Sequence, residues 1–280
     1  MWQIDMESKR ILTVQDISCV GQCSMTVALP VLSACGHETC VLPTALLSTH
    51  TGGFGKPYVL HLTESVTEIR KHWRQAGITF DAVYTGYLGS CDDVCRVTEL
   101  IDELLAPGGV CIVDPVMGDD GKLYSGFDGN YVDCMRLLCD RADILLPNLT
   151  EAALLTNQPY QQCPEKETVE RLLAELPQKT VVLTGVGFDP ALTGVAVRGT
   201  GAVEYYFHHR QPGRYHGTGD LFAACFTGAL LRGKTPYEAA GLAADMTSRC
   251  VRLTAEHPVH WYGIRFEAIL PELIRRLEQE

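Results

Sequence analysis

A turn of small residues followed by a carboxylate, at positions 216–220, is the part of the sequence best suited to chemistry. His216, Gly217, Thr218, Gly219 and Asp220 precede a long apolar run typical of a buried helix. The backbone N–H groups at a helix start can bind an anion, and the helix dipole adds positive potential there. An acid beside a bound phosphate is useful when it accepts the proton of the attacking group. The same residues form a good helix cap, so the turn alone leaves both a simple cap and a catalytic anion hole with Asp220 as base open.

Polar side chains also follow three apolar segments that resemble strands. Asp114 and Asp119 come after one of them, where two acids can hold a cation or orient a polyphosphate. Asn148 and Glu151 have the spacing of one face of a helical turn, which suits water-mediated Mg²⁺ binding, although capping explains Asn148 equally well. Thr184 places a hydroxyl at the end of a third segment. Taken together, these motifs predict phosphoryl transfer from a nucleotide.

A second phosphate-binding pattern, G-x-x-x-x-G-K-[ST] at positions 228–235, does not have the setting that a P-loop needs. A P-loop follows a strand and opens a helix. Here Gly228 and Gly233 come at the end of an apolar helical run, and Thr235 with Glu238 forms the capping box of the next helix. We therefore predict a helix–helix junction at this position.

Composition excludes several classes of protein. The net charge of −11 argues against a general nucleic-acid binder, and the apolar runs are too short to span a membrane. The first eight residues lack the apolar core of a signal peptide, so a cytoplasmic protein is expected. The 12 cysteines include no C-x-x-C pair, and reduced thiols are the expectation for them.

The pattern of elements predicts an α/β fold in one domain over residues 1–280. Short β-rich runs alternate with helical periodicity, which implies a mainly parallel central sheet covered by helices on both faces, a three-layer α/β/α arrangement. A proline places the predicted strand around 41–46 at an edge or beside a bulge. Ligands bind beyond the carboxyl ends of the strands in such sheets, and the polar residues above follow strands.

Over positions 11 to about 253, the sequence resembles the ribokinase superfamily, and within it the pyridoxal kinase group. The resemblance rests on Gly21 and on five motifs: Ser48-Thr49-His50-Thr51-Gly52-Gly53, Thr85-Gly86-Tyr87-Leu88-Gly89-Ser90, Asp114-Pro115-Val116-Met117-Gly118-Asp119, Pro147-Asn148-Leu149-Thr150-Glu151 and Gly217-Thr218-Gly219-Asp220. It implies a ribokinase-like fold, a homodimer, and ATP-dependent phosphorylation of the 5′-hydroxymethyl group of pyridoxal, pyridoxine or pyridoxamine in vitamin B6 salvage.

The resemblance also implies a role for each matched residue. Asp220 would deprotonate the hydroxymethyl group, while Gly217, Thr218 and Gly219 would stabilise the transferring phosphoryl group. The substrate side would comprise Asp16, Ser18, Thr51 and Tyr87. The ATP side would comprise Asp119, Tyr124, Asn148, Glu151 and Thr184. Mg²⁺ and a monovalent cation, K⁺ or Na⁺, would be held near the phosphates by Asp114, Glu151 and Thr184.

One departure from the group concerns the substrate. Pyridoxal kinases usually have a serine at the position of Asp16, so a different heterocycle is possible. A hydroxymethylpyrimidine kinase of thiamine salvage is the enzymatic alternative, and a catalytically inactive ligand-binding relative is the alternative from another class.

Overall fold

Strands and helices alternate along the chain. In the computed structural model, which describes residues 8–257 and 259–279, the strands are β1 (Arg10–Ser18), β2 (Glu38–Leu47), β3 (Val59–His61), β4 (Phe80–Thr85), β5 (Leu105–Val113), β6 (Gly118–Asp119), β7 (Lys122–Leu123), β8 (Ile144–Leu145), β9 (Thr180–Val186), β10 (Leu192–Arg198) and β11 (Glu204–His209). The helices are α1 (Met25–Ala34), α2 (Thr63–Gln75), α3 (Cys91–Leu104), α4 (Gly129–Cys139), α5 (Leu149–Thr156), α6 (Lys166–Glu175), α7 (Thr218–Leu231), α8 (Pro236–Ala255) and α9 (Leu270–Glu278).

The central sheet has nine strands in the order β11-β10-β9-β8-β5-β4-β1-β2-β3. The six strands from β9 to β2 run parallel to one another, whereas β3, β10 and β11 pair antiparallel at the two margins. This sheet confirms the predicted α/β fold with a mainly parallel sheet.

Helices cover both faces of this sheet because successive side chains of each strand point to opposite sides. On β1, Ile11 packs into a cluster with α1, α7, α8 and α9, while Leu12 packs into a second cluster with α2, α3, α4, α5 and α6. Ile11 and Leu12 are both fully buried. Both faces of the sheet are therefore covered by apolar clusters.

Backbone hydrogen bonds align the carboxyl ends of neighbouring strands. The N–H of Asp114 donates to Thr85 O (3.0 Å), that of Leu146 to Val113 O (2.9 Å), and that of Thr184 to Pro147 O (2.9 Å). Asp114, Thr85 and Thr184 therefore lie side by side at the carboxyl ends of the parallel strands, which form one edge of the site. The turn before α7 must reach this edge to complete a site.

The predicted irregularity at Pro43 lies in β2, which is an internal strand. The pairing of β1 with β2 shifts register between Gln15 and Ile17, immediately after the pair Gln15–Pro43. The bulge is confirmed and the edge position is not, because β3 continues the sheet beyond β2. Proline is tolerated there because a bulge interrupts the ladder of hydrogen bonds.

The glycines of the P-loop-like pattern at positions 228–235 belong to a helix–helix junction, as predicted. Gly228 lies inside α7, and Gly233 follows its last turn with φ 95°. Thr235 and Glu238 form the reciprocal capping box of α8. In the part of the chain that the structure describes, no helix is long and apolar enough to cross a bilayer.

The expectation of reduced thiols is wrong for one pair of cysteines. Cys91, the first residue of α3, forms a disulfide with Cys134 of α4, and their Cα atoms are 5.6 Å apart. The partners are 43 residues apart, so the spacing of neighbouring cysteines does not reveal the pair. The other cysteines are free, and six of them are buried: Cys23, Cys35, Cys111, Cys139, Cys225 and Cys250.

Candidate active site

The turn before α7 has a backbone that only glycine accommodates. Gly217 is the N-cap of α7 and has φ 87° and ψ 0°. A Cβ atom at Gly217 would lie 2.0 Å from the carbonyl oxygen of Gln22, whereas one at Gly219 would meet no atom within 4 Å. The backbone of Gly219 therefore borders open space at a helix N-terminus. This geometry is that of an anion site rather than of a side-chain cap, since no side chain caps the helix.

Asp220 lies where the N-termini of α1 and α7 meet. Its carboxylate accepts a hydrogen bond from the backbone N–H of Ser24, the N-cap residue of α1. Burial and the nearby charge of Asp16 outweigh the hydrogen bonds and raise the pKa of Asp220 to about 6. A carboxylate with this pKa is ionised at neutral pH and still basic enough to accept a proton.

Asp16 and Ser18 lie together at the end of β1. Asp16 is 4% exposed, and its carboxylate accepts a hydrogen bond from the Ser18 hydroxyl (3.2 Å) and another from the Ser24 hydroxyl. Burial raises the pKa of Asp16. The structure therefore brings both residues, which the resemblance placed on the substrate side, close to Asp220.

Thr51 is exposed on the loop 48–57, which contacts the turn before α7. The imidazole rings of His50 and His216 have centroids 4.2 Å apart. A Cβ atom at Gly52 would lie 2.6 Å from Nε2 of His216, and the N–H of Gly52 donates to Nδ1 of His50 (3.0 Å). Thr51 is thus held beside the glycine turn by its two neighbours.

Tyr87 is half-buried after β4 and belongs to a stack of three aromatic rings. Its ring centroid is 5.6 Å from that of Phe127, which lies 3.7 Å from that of Tyr131. The Tyr131 hydroxyl donates to the carbonyl oxygen of Leu88. Tyr87, which the resemblance places on the substrate side, is thereby connected to the end of the 118–127 loop, on which Asp119 and Tyr124 lie.

Asn148 and Glu151 form the reciprocal capping box of α5, so the capping alternative is realised. The Asn148 side chain accepts from Glu151 N (2.9 Å) and donates to Gly118 O (2.9 Å), while Glu151 accepts from the N–H groups of Asn148 (2.9 Å) and Met117 (3.2 Å). Both residues therefore fix the start of the 118–127 loop to α5. Glu151 is 2% exposed, so its carboxylate is buried in this junction.

The remaining residues of the predicted ATP side lie around this capping box. Thr184 is paired with Asn148 through a single β-bridge, and its hydroxyl donates to Pro147 O (3.4 Å). Asp119 is exposed on the small hairpin of β6 and β7. Tyr124 is 42% exposed, and burial together with the charges of Glu151 and Asp119 raises its pKa.

Three acids share this edge of the sheet. Burial and the charges of Glu151 and Asp220 raise the pKa of Asp114, which is 8% exposed. The Tyr84 hydroxyl, whose pKa is raised by burial and by Asp114 and Asp220, is buried without a hydrogen-bond partner, as is that of Thr85. These unpaired acids and orphaned hydroxyls suit a cation. Among residues 8–257 and 259–279, however, no three acidic, histidine or cysteine side chains are grouped to hold a metal by themselves, so the set fits an ion that also takes oxygen ligands from phosphates.

The motifs alone assign no role to His50, His216 or Ser24, although all three lie at the site. Ser24 has φ 50°, an unusual value for a side-chain-bearing residue, and it hydrogen-bonds to both Asp16 and Asp220. The sequence signal for Ser24 is weak because α1 is apolar and contains Pro30. For His216, its position next to Gly217 is the only signal.

Comparison with known proteins assigns the family. The model of the phosphomethylpyrimidine kinase family matches residues 28–263 of this chain. The structure is similar to that of pyridoxal kinase from Lactobacillus plantarum, with a TM-score of 0.90 and 36% identity over 98% of this chain and 99% of the other.

Two further solved structures contain ligands. A protein from Bacteroides thetaiotaomicron that carries the phosphomethylpyrimidine kinase name and was crystallised with pyridoxal has a TM-score of 0.89 and 35% identity, covering 95% of this chain and 96% of that one. Pyridoxal kinase from Leishmania donovani, in complex with ADP and pyridoxamine, has a TM-score of 0.85 and 25% identity over the same shares of the two chains. The match over most of its length and the shared fold establish that the chain is a kinase of the ribokinase superfamily and belongs to the phosphomethylpyrimidine kinase family.

Proposed function

We propose that the protein transfers the γ-phosphoryl group of ATP to the 5′-hydroxymethyl group of a B6 vitamer. The observation that carries this proposal is Asp220, a carboxylate with a pKa of about 6 in the first turn of α7, beside the left-handed Gly217. The similar structures that contain pyridoxal, or ADP with pyridoxamine, support the choice of acceptor and of nucleotide.

In this reaction Asp220 accepts the proton of the acceptor hydroxyl as its oxygen attacks the γ-phosphorus. A new P–O bond forms, the bond between the γ-phosphorus and the bridging oxygen breaks, and ADP leaves. The N–H groups of Gly217, Thr218 and Gly219 stabilise the charge on the transferring group, because they are oriented before the reaction begins. The proton on Asp220 then passes to solvent.

The ATP side is proposed to comprise Asp119, Tyr124, Asn148, Glu151 and Thr184, and the acceptor side Asp16, Ser18, Thr51 and Tyr87. Asp114, Glu151 and Thr184 would hold Mg²⁺ and a monovalent cation together with phosphate oxygens. Bound there, these ions would neutralise phosphate charge beside the three acids. The homodimer remains a prediction from the resemblance, and the cytoplasmic location remains a prediction from the first eight residues and the cysteines.

Replacement of the proposed base tests this mechanism. Asp220→Asn should lower kcat by about 10²- to 10⁴-fold, because the amide cannot accept the proton, while ATP still binds. In the unmodified enzyme kcat/KM should rise as the pH passes through about 6, where Asp220 loses its proton. The kcat/KM of the variant should not show this rise. Phosphorylated product and nucleotide binding are the measurements.

The matched control is Asp133→Asn, the same change at an exposed helix position on α4. Near-normal turnover of Asp220→Asn would show that the base is another group. An inactive ligand-binding relative would give no product even with the unmodified chain.

A hydroxymethylpyrimidine kinase is the second candidate, favoured by the matching family model and by Asp16 in place of the usual serine. The two acceptors are separated by comparing kcat/KM for the B6 vitamers and for 4-amino-5-hydroxymethyl-2-methylpyrimidine. A ratio above ten in favour of the pyrimidine would assign the enzyme to thiamine salvage.

A further inference from the structure

Asp16 is a buried acid without a cationic partner. Its side chain is 4% exposed at the end of β1, and its hydrogen-bond donors are the neutral hydroxyls of Ser18 and Ser24 and its own backbone N–H. No lysine, arginine or histidine within the described residues forms an ion pair with it. A buried carboxylate of this kind is unfavourable unless a positive charge arrives with a ligand.

The neighbours of Asp16 show which space it borders. Its negative charge raises the pKa of Asp220, of Tyr87 and of the Cys23 thiol. Asp16 therefore lies among the first turn of α7, the segment after β4 and the start of α1.

Asp220 also interacts with a second group of acids. Burial and the charges of Glu151 and Asp220 raise the pKa of Asp114, and burial and the charge of Asp119 raise that of Glu151. Asp220 therefore lies between Asp16 on the proposed acceptor side and Asp114 with Glu151 on the proposed nucleotide side.

The charge of Asp16 selects among acceptors that carry a primary alcohol. A 3-hydroxypyridine transfers its phenolic proton to the ring nitrogen, so it presents an N–H⁺ at neutral pH. A 4-aminopyrimidine also protonates on a ring nitrogen, whereas a sugar or a benzyl alcohol has no such group. A carboxylate accepting from N–H⁺ forms a short, charge-assisted hydrogen bond, which is stronger than the bond a serine hydroxyl would form.

We infer that Asp16 is a specificity-determining residue that binds the protonated ring nitrogen of the acceptor, so that the enzyme selects cationic nitrogen heterocycles. This inference rests on the proposed function and deepens it. It goes beyond a general contact with the ring because it requires the charge of Asp16 and the charge of the ligand together.

The test combines two variants with two acceptors. Asp16→Asn keeps the size of the side chain and removes its charge, while Asp133→Asn makes the same change at an exposed position of α4. The acceptors are pyridoxine and its carbocyclic analogue, in which C–H replaces the ring nitrogen. Kinetics are measured at about pH 8, where Asp220 is ionised in every variant.

For pyridoxine, Asp16→Asn should raise KM by about 10- to 100-fold while kcat changes by less than about threefold, because a charge-assisted hydrogen bond is lost. The analogue should bind weakly to the unmodified enzyme, and its KM should not change in the variant. Asp133→Asn should alter KM for both acceptors by less than about threefold.

A purely structural role of Asp16 would give a different result. Equal losses for pyridoxine and the analogue in a variant that remains folded would overturn the inference. An unchanged KM for pyridoxine in Asp16→Asn would do the same.

Calorimetric titration without ATP separates this inference from the proposed function. If the unmodified chain phosphorylates no B6 vitamer, tighter binding of pyridoxine than of its analogue, lost in Asp16→Asn, would sustain the role of Asp16 while the proposed function fails. If phosphorylation occurs and the charge of Asp16 changes neither binding nor KM, the proposed function stands and this inference fails.

Discussion

At the scale of single residues, the chemistry of the site depends on competing effects at Asp220. Burial and the charge of Asp16 raise its pKa, and the backbone donors of two helix N-termini lower it. Burial prevails, so the carboxylate is more basic than one in water and remains ionised at neutral pH. Residue type alone does not set this balance, because an aspartate in an ordinary helix cap would be a weaker base.

Gly217 is the other residue on which the site depends, and Gly217→Ala is expected to destabilise the turn. The φ of 87° is unfavourable for alanine, and the new Cβ would meet the Gln22 carbonyl oxygen at 2.0 Å. We expect a loss of about 2 kcal/mol or more in the free energy of unfolding, together with a large fall in kcat. Urea unfolding and initial rates are the measurements.

The control for this prediction is Gly129→Ala at the start of α4. This glycine has no atom within 4 Å of an added Cβ and has no positive φ. The control variant should keep both stability and activity. Equal stability of the Gly217 variant and the unmodified protein would contradict the strained geometry.

At the scale of elements, α3 and α4 are joined by the disulfide between Cys91 and Cys134. The junction adjoins functional segments, since Tyr131 of α4 hydrogen-bonds to Leu88 and stacks on Phe127. The stack continues to Tyr87. The relative position of these two helices therefore bears on both the proposed acceptor side and the 118–127 loop.

Loss of this bond should lower stability. Cys91→Ser under non-reducing conditions should reduce the free energy of unfolding by about 2–4 kcal/mol, because the loop between the partners gains freedom in the unfolded chain. Denaturant unfolding with and without dithiothreitol measures the difference. Cys95→Ser, at an exposed free cysteine of the same helix, should leave stability unchanged. If reductant has no effect on the unmodified protein, the bond does not form in solution.

At the scale of the whole molecule, the parallel sheet brings Asp16, Asp114, Glu151 and Asp220 to one edge of a protein with net charge −11. The folded state raises the pKa of each of these four acids. Because a folded-state pKa above the unfolded value means that the folded protein retains protons longer, these groups favour folding at low pH. That contribution is lost as pH rises through the folded pKa.

The effect of Asp220 on stability can be isolated with Asp220→Asn. Between about pH 4 and pH 7 the variant should gain about 2 kcal/mol of unfolding free energy relative to the unmodified protein, which loses the contribution of protonated Asp220 over this interval. Urea unfolding of both proteins across this pH range measures the difference. The matched variant Asp133→Asn should show no such trend, and a flat difference for Asp220→Asn would indicate an ordinary pKa.

Local sequence signals predicted the parts of the fold that have a clear hydrophobic periodicity or a glycine or proline that ends an element. The apolar helical run after the glycine turn corresponds to α7, and the α7–α8 junction lies where the sequence places it. α1 has no comparable local signal. α1 is apolar on most of its surface, contains Pro30 and has no side-chain cap, so it lacks an amphipathic pattern.

The sequence by itself determined the chemical groups of this protein: a glycine turn with an acid at a helix start, and polar residues after strands. It determined them because backbone conformation, helix capping and strand alternation are local properties. Only the tertiary structure decided that Asp16 lies beside Asp220, that Cys91 reaches Cys134, and that Glu151 is buried in a capping box. These outcomes depend on the order of strands in the sheet and on the packing of helices across it, which join residues far apart in the chain and set the burial that changes their pKa values.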